Sequence, residues 1–145
     1  MHPRRVLLPF DGSPPARRAL EYVAAMDQGR EFHVHVLNVQ APTIDDDVYL
    51  QSLLDEGERI VRVASRHLEA RSIGHTTLVA VGHPSDTIVL NAKAERFTDI
   101  VMGVRSAIAR LFSGSVSRRV VRHAGKPVTL VKATGEAVFK APRPG

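Results

Sequence analysis

Five short apolar runs alternate along the chain with stretches whose apolar residues recur every three or four positions, and this alternation restricts the fold more than any other feature. The runs are Arg5-Val6-Leu7-Leu8-Pro9, Phe32 to Val39, Thr76 to Val81, Asp99-Ile100-Val101-Met102 and Pro127 to Val131. Each is short and mostly β-branched or aliphatic, with Gly, Pro, Asp or Ser at its end or within a few positions after it, the signature of a buried strand ended by a turn. Between them lie helical patterns. Ser13-Pro14 pairs an N-cap residue with a proline in the first helical position, and Ala16, Ala19, Leu20, Val23 and Ala24 carry the stripe as far as Gly29. The second helix runs through Leu50, Leu53, Leu54, Ile60, Val61, Ala64 and Leu68 and is expected to stop at Gly74, with Gly57 loosening its first turns. Ser85 is expected to cap a third helix through Ile88, Val89, Ala92 and Ala94, and Ser117 to Ala124 reads as the last.

Strictly alternating strands and helices bury both faces of a parallel sheet, so the expected fold is α/β, a doubly wound five-stranded parallel sheet with helices on both faces. Residues 1–133 make one domain. Residues 134–145, ending Ala141-Pro142-Arg143-Pro144-Gly145, read as a flexible C-terminal tail. At 145 residues the chain buries a core without covalent staples, and with no cysteine it has no disulfide framework, thiolate nucleophile or Cys-based zinc site. The apolar stretch after Met1-His2-Pro3-Arg4-Arg5 is shorter than an export signal requires, and no run approaches the roughly 20 apolar residues of a membrane span, so a cytoplasmic location is expected.

Twenty Lys and Arg against 15 Asp and Glu leave a net charge of +5. The basic residues are scattered and only five Phe and two Tyr accompany them, which is not the interleaved basic and aromatic surface of a nucleic-acid binder. His33 and His35 share one face of a strand, but no third ligand stands at fixed spacing, so no metal centre is expected. Asp45-Asp46-Asp47 lacks the alternating ligands of a calcium loop and reads as a solvated helix start. Gly114-Ser115-Val116-Ser117-Arg118 is not a nucleophile elbow, and no catalytic constellation is visible.

Ligands of open parallel sheets bind beyond the carboxyl ends of the strands. Three segments reach that rim: Pro9-Phe10-Asp11-Gly12-Ser13, Asn38-Val39-Gln40, and the loop from Gly103 to Ser117. In the third, Gly114-Ser115-Val116-Ser117 immediately precedes a helix. Hydroxyls, backbone N–H groups and the helix dipole there suit a phosphate, with Arg105 and Arg110 nearby in sequence to neutralise it. The same serines serve equally as ordinary caps, and Asp11-Gly12-Ser13 is a good turn whatever its function.

Taken in order, Val6-Leu7-Leu8-Pro9-Phe10-Asp11-Gly12-Ser13-Pro14, Leu37-Asn38-Val39, Gly82-His83-Pro84, Asp99-Ile100-Val101-Met102-Gly103, Gly114 to Ala124 and Pro127-Val128 resemble the universal stress protein family over residues 4–132. The resemblance implies an adenine nucleotide alpha-hydrolase-like fold and a nucleotide-binding sensor or regulator in the stress response, at most a slow ATPase. It implies ATP as ligand, with Mg2+ only where ATP is bound. The site would comprise Pro9, Phe10, Asp11, Val39, Met102, Gly103, Arg105, Gly114, Ser115, Val116 and Ser117. Asp11 would face ribose and adenine, the Val39 backbone would contact adenine, and Gly114 to Ser117 would hold phosphates. The family's Gly-x2-Gly-x9-Gly-Ser loop is altered here: Ser106 replaces the second glycine, and seven residues separate it from Gly114. The alternatives are a related nucleotide, or a dimeric interaction module that binds none. The resemblance also implies a homodimer pairing through Val128–Val131, and a regulatory protein partner.

Overall fold

A computed structural model of the chain describes residues 3–26, 31–42, 47–94, 97–105 and 115–142. Its elements are β1 (Arg4–Pro9), α1 (Pro14–Met26), β2 (Phe32–Gln40), α2 (Asp47–Glu69), β3 (Gly74–Val81), α3 (Pro84–Ala94), β4 (Asp99–Gly103), α4 (Ser115–His123), β5 (Val128–Val131) and β6 (Ala137–Lys140). The sheet order is β3-β2-β1-β4-β5-β6, parallel throughout except for the antiparallel pair β5–β6.

Side-chain alternation divides each central strand between two cores. Val6, Leu8, Val34, Val36, Val101 and Val131 pack under α1 and α2. Leu7, Leu37, Ile100, Met102, Val128 and Leu130 pack with Ile88 and Ala92 of α3 and Val120 of α4. No described helix is long and apolar enough to cross a membrane.

Several local expectations are corrected. The sheet has six strands, because part of the segment expected as a tail forms β6. Lys132 donates its N–H to Glu136 O at 2.7 Å and Gly135 to Lys132 O at 2.8 Å, closing a turn that returns Ala137–Lys140 onto β5. The four β5 residues are all buried, and β6 supplies their outer backbone groups with partners. The edge expected for pairing two copies through Val128–Val131 is therefore already filled. Helix α2 ends before Gly74: Ser72 adopts φ 56°, Ile73 N–H bonds Leu68 O at 3.0 Å, and Gly74 begins β3. Gly57 has a packing role besides the expected one: it lets α2 approach the sheet, since a Cβ there would lie 2.3 Å from Val79 Cγ1. His83, not Ser85, stands at the cap of α3, its carbonyl accepting from Thr87 N–H at 2.9 Å while Pro84 takes the first helical position. Gly29, Asp45 and Asp46 lie outside the described residues.

Candidate functional site

Strand order reverses between β1 and β4, and there the two strands part. They are in register only at Val6–Asp99 and Leu7–Ile100. Beyond that point each backbone turns to its other neighbour. Phe10 N–H donates to Leu37 O of β2 at 2.8 Å, and Val104 N–H to Val131 O of β5 at 2.9 Å. Asn38, buried beneath the rim, donates from Nδ2 to Phe10 O at 2.9 Å and accepts from Gln40 Nε2 at 2.7 Å, which fixes the exit of β1 on the β2 side. The divergence opens a cavity of about 480 Å3 at the carboxyl rim, within the range of small-molecule sites.

The cavity has an apolar floor and walls of Phe10, Leu37, Val39, Ile88, Met102 and Val104. Three helices begin at it: α1 contributes Pro15 and Ala16, α3 contributes Pro84, and α4 contributes Ser115, Val116 and Ser117. Their dipoles favour an anion here, although α1 itself offers no free N–H: Pro14 and Pro15 have none, and Ala16 and Arg17 donate to Ser13 Oγ and Ser13 O. Arg105 also lines it and is exposed. Asp11 lies on the wall with Oδ1 accepting from the Ser13 N–H at 3.0 Å and from the Ser13 hydroxyl, a turn that starts α1. A salt bridge of 2.7 Å from Arg119 Nη2 to Asp86 Oδ1 ties the first turn of α3 to the middle of α4.

The backbone of Val39 has a distinctive position. Leu37 directs its carbonyl toward β1, and Gln40 directs its own to Gly82 N–H at 2.9 Å on the β3 side. Backbone direction alternates along a strand, so Val39 presents its N–H and C=O toward β1, beyond Pro9, the last β1 residue in register with β2.

Of the residues expected at the site, Pro9, Phe10, Asp11, Val39, Met102, Gly103, Arg105, Ser115, Val116 and Ser117 all line this one cavity. Gly114, with Ser106 and Arg110, lies outside the described residues. Gly103 has a structural reason of its own: a Cβ there would come within 2.1 Å of Pro15 O, so the start of α1 rests on it. Sequence reasoning missed the contribution of α3 through Pro84 and Ile88. The signal was present in Gly82-His83-Pro84, which begins a helix where a strand ends and so brings a helix N-terminus to the rim. A broader depression of about 560 Å3 lies along α2 over Ser52, Asp55, Glu58, Arg59 and Arg62. It is formed by polar residues of one helix and has no apolar wall.

His33 and His35 lie at the opposite, amino end of the sheet, joined through Thr76. Arg5 Nη2 donates to His35 Nε2 at 3.2 Å, and because a guanidinium cannot accept, that nitrogen is the acceptor. His35 Nδ1 then donates to Thr76 Oγ1 at 3.0 Å, and the same Thr76 hydroxyl is hydrogen-bonded to His33 Nε2 at 2.8 Å. Burial, then Arg5 and His75, lower the pKa of His33 below 6.5. No cluster of three or more His, Cys, Asp or Glu suited to a metal occurs among the described residues.

A sequence model of the universal stress protein family matches residues 2–132. A universal stress protein from Thermus aquaticus is 30% identical over 135 residues, covering 89% of this chain and 98% of its own length. Among solved structures, a universal stress protein family protein from Arabidopsis thaliana with AMP bound superposes with a TM-score of 0.73 at 20% identity, covering 90% of this chain and 92% of that one. A universal stress protein in complex with cAMP gives 0.66 at 21% identity, covering 90% and 97%. At these identities the two structures establish a shared fold.

Proposed function

The chain belongs to the universal stress protein family, and from that premise we propose that it binds an adenine nucleotide in the rim cavity and acts as a sensor or regulator rather than a fast catalyst. The observation that carries this reading is the convergence of three helix N-termini on a cavity with one strand backbone left open beside it. Adenine offers a hydrogen-bond donor and an adjacent acceptor on one edge, which complement the C=O and N–H of Val39. Guanine presents the reverse pattern. The apolar pair Leu37 and Ile88 would flank the base, Asp11 would accept from the ribose hydroxyls, and Ser115, Ser117 and Arg105 would take the phosphates. The AMP and cAMP complexes of fold relatives support the ligand class. Where ATP binds, Mg2+ would accompany it.

Regulation rather than catalysis follows from the only carboxylate among the described lining residues. Asp11 holds Ser13 through Oδ1 and so helps start α1, a role that leaves it poorly disposed to take a proton from an attacking water.

Thermal denaturation with increasing AMP, ATP and GMP tests the proposal. A ligand of the folded state raises the melting temperature with concentration, so AMP and ATP are expected to do so and GMP is not. No shift at millimolar AMP and ATP would overturn the reading. Ser115→Glu sharpens the test. It sets a carboxylate where phosphate is proposed to bind, at an exposed helix N-terminus that tolerates one. The apo protein should keep its stability and lose the nucleotide response.

A further inference from the structure

Ser65 and His75 meet outside the rim cavity, between α2 and the edge strand β3. His75 shares a strand face with Val79, which packs against Gly57 of α2, so its ring points to that helix. Ser65 Oγ lies 2.7 Å from His75 Nε2, and His75 Nδ1 lies 2.8 Å from Ile73 O. A carbonyl only accepts, so Nδ1 carries a proton and, in the neutral ring, Nε2 is an acceptor. The Ser65 hydroxyl therefore donates to Nε2. Nucleophile, base and orienting group follow one another in the order that activates a serine, with a backbone carbonyl in the third place.

Three features support the arrangement. The orienting carbonyl is held firmly, because Ile73 is buried and its N–H bonds Leu68 O at 3.0 Å, after the left-handed turn at Ser72. Glu69 Oε1, at 3.5 Å from Ser65 Oγ, is too distant to compete well for the hydroxyl proton, yet its charge favours an imidazolium beside it. Glu58, Arg62, Ser65 and Glu69 recur at helical spacing on one flank of α2, so Ser65 continues the depression that runs over Glu58 and Arg62. Ser65 and His75 are both only half-buried, which leaves the pair open to solution.

A second serine–histidine pair lacks these features. Ser85 Oγ is 3.1 Å from His83 Nδ1, but that nitrogen also faces Asp86 Oδ2 at 3.7 Å, which favours a proton on it, and Ser85 is 2% exposed.

We propose that Ser65 is a nucleophile activated by His75, an acyl-accepting site that takes small activated esters such as aryl esters or thioesters. Its Oγ attacks the ester carbonyl carbon while its proton passes to His75 Nε2. The bond from that carbon to the leaving oxygen or sulfur breaks, and the leaving group takes the proton from the imidazolium. The product is an O-acylated Ser65. Arg62, one turn earlier on the same flank, is the cation available to the oxyanion formed on the way.

A fluorophosphonate is the probe, since activated serines displace its fluoride and ordinary serines do not. In the full chain, mass spectrometry of peptides should place the phosphonyl group on Ser65, with one fluoride released per label and Ser85 unlabelled. p-Nitrophenyl acetate should acetylate the same serine. Ser65→Ala should remove the label, and His75→Gln should slow labelling by about a hundredfold or more. Melting curves show whether each variant folds, and His75→Asn replaces the Gln variant should that one unfold. A label confined to other residues, no label at all, or labelling of Ser65 at the parent rate in a folded His75 variant would overturn the proposal.

Discussion

The two ends of the sheet use the same kinds of residue in opposite ways. At the amino end polar side chains close on one another. Arg4 grips Asp99 through two hydrogen bonds of 3.2 and 2.7 Å, Thr98 adds its hydroxyl to Asp99 and to the backbone of Arg5, and Arg5, His35, Thr76 and His33 form a hydrogen-bonded chain. Only Arg5 Nε is buried without a partner among the described residues. At the carboxyl end the strands separate, and helix N-termini, the Val39 backbone and Arg105 border an open cavity. A parallel sheet imposes this asymmetry. Every crossover helix runs back over the strands, so its amino end and the positive pole of its dipole start at the carboxyl rim. Stability residues thus collect at one end and ligand-facing groups at the other.

The comparison is broken most severely at Gly103, among the described rim residues the one glycine whose side-chain space is taken by backbone. Gly103→Ala puts a Cβ against Pro15 O and should cost about 3 kcal/mol or more in denaturant unfolding, with nucleotide response lost as well. Next comes the amino end. Asp99→Asn leaves Arg4 facing a neutral amide in a site where Asp99 is buried. It should cost about 2 kcal/mol while leaving the AMP-induced shift in melting temperature unchanged. Asp11→Ala is the converse variant at the carboxyl end. Asp11 is exposed and its loss removes one helix-start turn. The stability change should be about 1 kcal/mol or less, with the AMP response abolished. If Asp99→Asn lost the response and Asp11→Ala kept it, the division of labour between the ends would be wrong.

The smallest expected effect is pH dependence at the amino end. His33 has its pKa lowered by burial, by Arg5 and by His75, and His67 is likewise lowered by burial and by Arg71. The unfolded chain therefore binds the proton first as pH falls through about 6.5. It binds more protons than the folded state in that window, so stability declines below pH 6.5 until the folded histidines protonate in turn. Both groups are partly solvated, which keeps the slope shallow. Melting curves of His33→Gln should show a flatter pH profile than the parent, and an unchanged profile would remove His33 from the account.

Much of this fold was legible because both sheet faces are buried. Leu7 and Leu8 are apolar for different cores, so β1 reads as an unbroken run, and the same holds for Val36-Leu37 and Val128 to Val131. The site was legible where a strand end and a helix start are close in sequence, as at Pro9 to Pro14. Less legible were features set by distant packing. Gly57 reads as a helix weakener until Val79 is seen against it, and Ser72 shows no sequence sign of its left-handed conformation. β6 was hidden by its four-residue length and by the prolines that follow it. Its pairing depends on β5, whose own backbone needed a neighbour. The α3 wall was missed because Pro84 and Ile88 reach the cavity only through the crossover that carries α3 back over β2.

The seat of Pro15 on Gly103 has a mechanical consequence. That contact joins the segment carrying Asp11 to the one leading into Arg105, with no side chain between them to absorb movement. The width of the cleft at that point is therefore set by one backbone packed directly on another, and the spacing between Asp11 and Arg105 is built into the chain trace rather than into any side chain.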